Sequence, residues 1–156
     1  MIALKNVLVP VDFSEPSELA LKYARHLART FGARLQVLHV MENQFLRPMA
    51  NDPHVVEASI ARRLEERISE EDRRTLHVVA VTRRSDAPAD EIVKYATDHD
   101  INLIVMGTHG RVNVAHMLMG SVAEKVVRTA PCPVLTVRQG EREFVVADGP
   151  PASAAS

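Results

Sequence analysis

The sequence predicts an α/β fold, an open five-stranded parallel sheet with helices on both faces. Three observations carry this. Short apolar runs of strand length alternate with longer stretches whose apolar residues recur at helical spacing. The short runs are apolar at successive positions, as in strands covered on both sides, rather than at every second one. A helix-like stretch lies between each pair of runs, and a strand–helix–strand crossover brings the chain back parallel to its start.

The elements follow in order. Val7-Leu8-Val9-Pro10-Val11 is the first strand and leads into Asp12. Ser14-Glu15-Pro16 starts a helix, with a hydroxyl to cap it and a proline in its first turn. Leu19, Ala20, Tyr23, Ala24, Leu27 and Ala28 repeat along one face of that helix, and Gly32 stops it. Leu35, Val37, Leu38 and Val40 mark a second strand from Arg34 to Val40. One charged helix is expected from about Pro53 to Glu71, with Val56, Ile60, Leu64 and Ile68 as its stripe. Leu76 to Val81 is the third strand, Pro88 to His99 the third helix and Ile101 to Met106 the fourth strand. Ser121 opens the last helix, Val122 to Thr129, and makes a capping-box pattern with Glu124. Val134-Leu135-Thr136-Val137 is the fifth strand, entered through Pro131-Cys132-Pro133. Residues 1–140 are expected to form the domain and 141–156 an extension, partly disordered because the stretch from Asp148 is poor in core formers. Within it, Glu143-Phe144-Val145-Val146 is expected to add a short edge segment or to pack on a partner.

Composition narrows the function classes. The 156 residues are 46% apolar and 25% charged, values of a folded domain rather than a disordered chain. A net charge of -1 provides no overall footprint for nucleic acid, and arginine pairs such as Arg62-Arg63 are interleaved with acids. Aromatics at 4%, without tryptophan, argue against a stacking platform for single strands. Lone Cys132 excludes an internal disulfide framework, and its place between prolines reads as packing. None of the seven histidines stands at zinc-motif spacing. No apolar run reaches membrane-spanning length, and Met1 to Lys5 enters the first strand without a signal-peptide layout. A soluble cytoplasmic protein with no membrane partner is expected.

Ligands of such sheets lie beyond the carboxyl ends of the strands, where the strand order reverses. Asp12, Val40 and Gly107 each stand at a strand end. The fourth strand runs into Gly107-Thr108-His109-Gly110, then nine residues, then Gly120-Ser121 at a helix start. Glycines let a backbone approach an anion closely, and the first amides of a helix point at it.

These features together resemble the universal stress protein family, in its nucleotide-binding subgroup. The matching residues are Val9-Pro10-Val11-Asp12, Leu38-His39-Val40, and the glycine element from Gly107 to Ser121. Val122-Ala123-Glu124-Lys125-Val126-Val127 and Ala130-Pro131-Cys132-Pro133-Val134-Leu135 extend the match to about residues 5–138. The resemblance implies a Rossmann-like sheet in the order 3-2-1-4-5, a homodimer, and ATP, with magnesium, at the strand ends. It implies that Pro10, Val11 and Asp12 line the adenosine pocket, Asp12 near the ribose or a bound cation, and that Val40 meets adenine through its backbone. Gly107 and Gly110 would wrap the phosphates, Ser121 would donate its hydroxyl and amide, and Thr108, Gly120 and Val122 would belong to the same nucleotide site.

From the residues alone, other roles stay open. Asp12 also suits a helix cap, Val40 core packing, Gly107 and Gly110 a tight turn, and Ser121 an N-cap that is compatible with phosphate binding. His109 and Arg111 either donate to phosphate oxygens or stand in solvent. The arm from Val112 to Met119 is partly apolar and suits packing over the site or on a partner subunit.

Three functions are compatible with this pattern: an ATP-binding regulatory module, a slow ATPase using the same pocket, and a nucleotide-free dimeric interaction protein. The chain has no G-x-x-x-x-G-K-[ST] and no G-x-G-x-x-G after the first strand, and the sequence places no obvious base beside the glycine element. Binding without efficient turnover is favoured over catalysis. The complete glycine element disfavours the nucleotide-free reading. The fifth strand, apolar and at a sheet edge in the implied order, is the expected dimer seam, since pairing would cover it.

Overall fold

Val7, Leu8 and Val9 are wholly buried because their strand lies in the middle of the sheet. In the computed structural model, which describes residues 1–43, 52–109 and 119–145, the chain runs β1 (Asn6–Pro10), α1 (Glu15–Phe31), β2 (Arg34–Met41), α2 (Pro53–Glu65), α3 (Glu70–Thr75), β3 (Val78–Arg84), α4 (Pro88–Asp98), β4 (Leu103–Gly107), α5 (Ser121–Thr129) and β5 (Val134–Val137). All strand pairs are parallel and the order is β3-β2-β1-β4-β5, as expected.

Alternation along each strand divides the core into two layers. Val7, Val9, Leu35, Val37 and Val105 pack on α1 through Ala20, Leu21, Tyr23, Ala24 and Ala28, with Leu64 of α2 beside them. Leu8, Leu38, Ile104 and Met106 pack on the other face against Ile92, Tyr95 and Ala96 of α4 and Ala123 and Val126 of α5. Half-buried Cys132 leans on this second layer, and burial pushes its thiol up. Buried Tyr95 donates its hydroxyl to the side-chain oxygen of buried Gln36 at 2.5 Å, which satisfies that acceptor. At the other end of the sheet, the Asn102 side-chain oxygen accepts from the N–H groups of Lys5 and Asn6, both at 2.9 Å, and so sets β1 beside β4.

Helix α1 starts and ends as read. Ser14 caps it, Pro16 sits in its first turn, and Gly32 ends it at φ 64° with its N–H on Ala28 and Arg29 carbonyls. The expected single helix from Pro53 to Glu71 is instead two. Helix α2 ends at Glu65, and Ser69 and Asp72 form a reciprocal capping box that starts α3. Asp72 is almost fully buried and binds Arg25 and Arg29 of α1 at 2.9 Å each. Burial opposes its ionisation, but the Ser69 N–H and the Arg25 charge outweigh it and hold the carboxyl below its ordinary value. Strand β3 also differs from its expected span. It runs to Arg84, because Thr82, Arg83 and Arg84 continue the ladder on β2 as far as Met41 despite their polarity, which an edge strand tolerates.

After β5 the chain turns back over α1. Glu143 pairs with Lys22 at 2.9 Å, the Phe144 ring meets Tyr23 edge-on at 4.8 Å, and Val145 is buried in the α1 layer. The segment therefore packs on its own subunit; residues 146–156 lie outside the described ones. Among the described residues no helix is long and apolar enough to cross a membrane.

Candidate functional site, a cleft at the strand ends

The sheet opens between β1 and β4, where the strand order reverses, and the sequence shows why. Odd-numbered β1 residues bond toward β2, as Arg34 N–H to the Lys5 carbonyl and Val11 N–H to the Leu38 carbonyl show, each at 2.8 Å. Even-numbered ones face β4, as Asn102 N–H to the Asn6 carbonyl shows. Pro10 is therefore due to donate toward β4 and has no N–H to give. The β1–β4 ladder stops at Leu8 and Ile104, and a crevice opens beyond it.

A cavity of about 440 Å³ occupies this crevice. One wall is the lip of β1, Pro10, Val11 and Asp12. Asp12 accepts from the Ser14 N–H at 3.0 Å and from the Ser14 hydroxyl, and Ser14, rather than Asp12, caps α1. The Asp12 N–H reaches Ser17 Oγ at 3.3 Å, so the lip is anchored to the start of the helix. A second wall is the end of β2. By the ladder parity that places Leu38 toward β1, Val40 also turns its N–H and C=O that way, where β1 has already left. Among the described residues neither group takes a ladder partner. An adjacent donor and acceptor thus face the cavity.

The third wall is the glycine element. Thr108 N–H bonds to the Val137 carbonyl, and the Thr108 carbonyl accepts from Gly120 N–H, so the element returns to the point from which it left. Gly107 is a close approach: a Cβ there would stand 2.7 Å from Pro16 Cβ and 2.9 Å from its carbonyl carbon. Its glycine is thus required first by the packing of α1 on β4.

The expected Ser121–Glu124 capping box does not form. Gly120 takes the N-cap position, Ser121 is the first helical residue, and no side chain caps α5. The reason is that Glu124 N–H bonds to the Gly120 carbonyl, which shifts the helix start back by one residue. The first amides of α5, at Ser121, Val122 and Ala123, line the cavity without a side-chain acceptor of their own, and an uncapped helix start attracts anions.

The structure thus brings together Pro10, Val11, Asp12, Val40, Gly107, Thr108, His109, Gly120, Ser121 and Val122 around one cavity. Gly110 and Arg111 lie outside the described residues, as does the arm up to Leu118. Sequence reasoning missed Met41, Val56, Ile60, Pro88 and Ile92, which form an apolar slot beside Val40. The stripe on the second helix held the signal: Leu64 and Ile68 reach the core, while Val56 and Ile60 stay half-buried and face the slot. Among the described residues no group of three histidines, cysteines or carboxylates is placed to hold a metal by itself.

Comparison with known proteins agrees with this geometry. The model of the universal stress protein family matches residues 3–138. The chain belongs to that family. Universal stress protein MJ0531 of Methanocaldococcus jannaschii is 32% identical over 150 residues, covering 89% of this chain and 85% of that protein. The solved structure of MJ0577 superposes with a TM-score of 0.73 at 26% identity, over 90% of this chain and 100% of the other. A universal stress protein from Archaeoglobus fulgidus, solved in complex with dAMP, has a TM-score of 0.62 at 26% identity, over 88% of this chain and all of its own.

Proposed function

We propose that this universal stress protein binds ATP in the cleft and acts as a nucleotide-dependent regulatory module rather than an efficient hydrolase. One observation carries the reading: the uncapped start of α5 and the outward N–H and C=O of Val40 open into one cavity with an apolar slot between α2 and α4. Phosphates suit the first, the edge of adenine the second, and its faces the slot. The dAMP complex of a relative supports the same ligand class. Asp12 stands where a ribose hydroxyl or a magnesium ion on the phosphates would meet a carboxylate oxygen, and oxygen donors fit that hard cation. Gly110 and Arg111, by their place in the motif, would complete the phosphate wall.

Hydrolysis would need a base beside the phosphate end. Among the described residues the cavity carboxylates are Asp12, tied to Ser14, and Glu42, which follows the slot-facing end of β2. The bonds from Ser14 commit one Asp12 oxygen to the turn before α1, a structural role rather than that of a base. We further propose a cytoplasmic homodimer seamed at β5, an edge strand whose Val134, Leu135 and Thr136 remain half-exposed in one subunit.

A thermal titration with ATP and magnesium tests the reading. Saturation at about a hundred times Kd adds roughly 2.7 kcal/mol of stability. Calorimetry without heat for ATP, ADP or AMP at millimolar concentration would remove it.

A further inference from the structure

We infer that His39 is a positioning residue which keeps the Val40 N–H turned to the nucleobase by holding the carbonyl that would otherwise claim it. The inference deepens the adenine reading of the cleft and rests on it for its ligand.

The β1–β2 ladder is regular as far as Val11. Arg34 N–H goes to the Lys5 carbonyl, and the register then pairs Leu35 with Val7 and Val37 with Val9. Each further step advances both strands by two residues. After Val11 N–H has met the Leu38 carbonyl, the next bond in series would take Val40 N–H to the Val11 carbonyl. That bond is not made. The Val11 carbonyl instead lies 2.7 Å from Nδ1 of His39. A carbonyl only accepts, so Nδ1 carries the proton and the imidazole donates.

The ring is well placed to compete. His39 is 4% exposed, in a strand whose other wholly buried residues are apolar apart from Gln36. It packs on the Phe13 ring at 4.8 Å, and the Arg63 guanidinium of α2 lies over Phe13 at 4.2 Å. Phe13 itself has φ 64°, a conformation that L residues rarely adopt and that the turn between β1 and α1 imposes. The bend that starts at Asp12 and the ring that holds the Val11 carbonyl act in the same direction. Together they end the ladder one bond early, beside the cavity.

The chemical consequence is base choice. Adenine presents an acceptor at N1 next to a donor at N6, which complements the N–H and C=O of one residue. Guanine presents the reverse pattern on the same edge. A Val40 amide returned to the ladder would leave the adenine N1 acceptor without its donor.

Two variants separate the donor from the ring. His39→Asn keeps an N–H donor near the position of Nδ1, and His39→Leu fills the space without one. Amide hydrogen exchange in the ligand-free protein reads Val40 directly. In the parent and in His39→Asn, Val40 exchanges much faster than Leu38; in His39→Leu it slows at least tenfold as its N–H joins Val11. Calorimetry with AMP then shows about tenfold weaker binding in His39→Leu and a parent-like Kd in His39→Asn. A parent Val40 amide as protected as Leu38 overturns the inference. So does a His39→Asn protein that behaves like His39→Leu. Exchange is measured without nucleotide, so a parent that shows the expected exchange pattern but binds no AMP refutes the adenine reading while leaving the role of His39 on the Val11 carbonyl standing.

Discussion

Gly107→Ala is the sharpest test of how the cleft is built. The added methyl would stand 2.7 Å from Pro16 Cβ, 2.9 Å from the Pro16 carbonyl carbon and 3.0 Å from its oxygen. Carbon atoms rest at about 3.5–4.0 Å, so roughly 1 Å of separation must be found. Little can yield. Two of the three atoms are backbone, Pro16 lies in the first turn of α1, and that turn is held by Ser14 and by the Asp12–Ser14 bonds. The competing effect has the opposite sign. Gly107 does not have a positive φ, so alanine without a clash would stabilise the strand by about 0.5–1 kcal/mol. Overpacking of this kind costs about 1–3 kcal/mol, and the clash should win. At roughly 2–4 °C for each kcal/mol in a domain of this size, a fall of several degrees in the melting midpoint is expected by calorimetric scan. Pro16→Gly in the same chain should restore only part of it, because the backbone atoms remain. A variant as stable as the parent, or more stable, would refute the packing argument and return Gly107 to a purely ligand-related role.

Three further outcomes are expected. Asp72→Asn removes a buried carboxylate from Arg25 and Arg29 and should cost about 2 kcal/mol by urea titration. In the parent, the folded pKa of Asp72 lies below the ordinary 3.8, so its contribution is present above that value and is lost as pH falls through the folded one; the gap between parent and variant should close in that acid range. Tyr95→Phe strands the Gln36 oxygen in the core and should lower the denaturation midpoint by the equivalent of about 1–3 kcal/mol, with the sheet unchanged by circular dichroism. Leu135→Lys should convert a dimer into a monomer in sedimentation at tens of micromolar; a monomeric parent contradicts the β5 seam.

Most of the fold was legible because its signals are local. Ser14, Pro16 and Gly32 bound α1 through bonds within a few residues, and the apolar runs of β1, β2 and β4 need no partner to be recognised. The break between α2 and α3 was not, since the acidic stretch around Glu70 continues the helical composition and only the Ser69–Asp72 reciprocity interrupts it. The strand ends that face the cleft were legible as positions but not as mechanisms. The freedom of Val40 depends on where β1 bends, and the need for glycine at 107 depends on Pro16, far away in sequence. Both are consequences of packing between elements, which periodicity does not encode.

The clasp of Asn102 on Lys5 and Asn6 has a bearing on synthesis. Asn6 and Asn102 are 96 residues apart, yet Asn6 opens β1 and Asn102 directly precedes its neighbour β4. The central strand is made first, and β2 can join it early, but its other edge waits until most of the chain has left the ribosome. During that interval an apolar strand edge stands open to solvent, which is the circumstance in which nascent chains pair wrongly or recruit chaperones. Release of the edge by β4 is thus a late event of high sequence separation, and a truncated chain ending before Asn102 should be aggregation-prone even though its first two strands and α1 are intact.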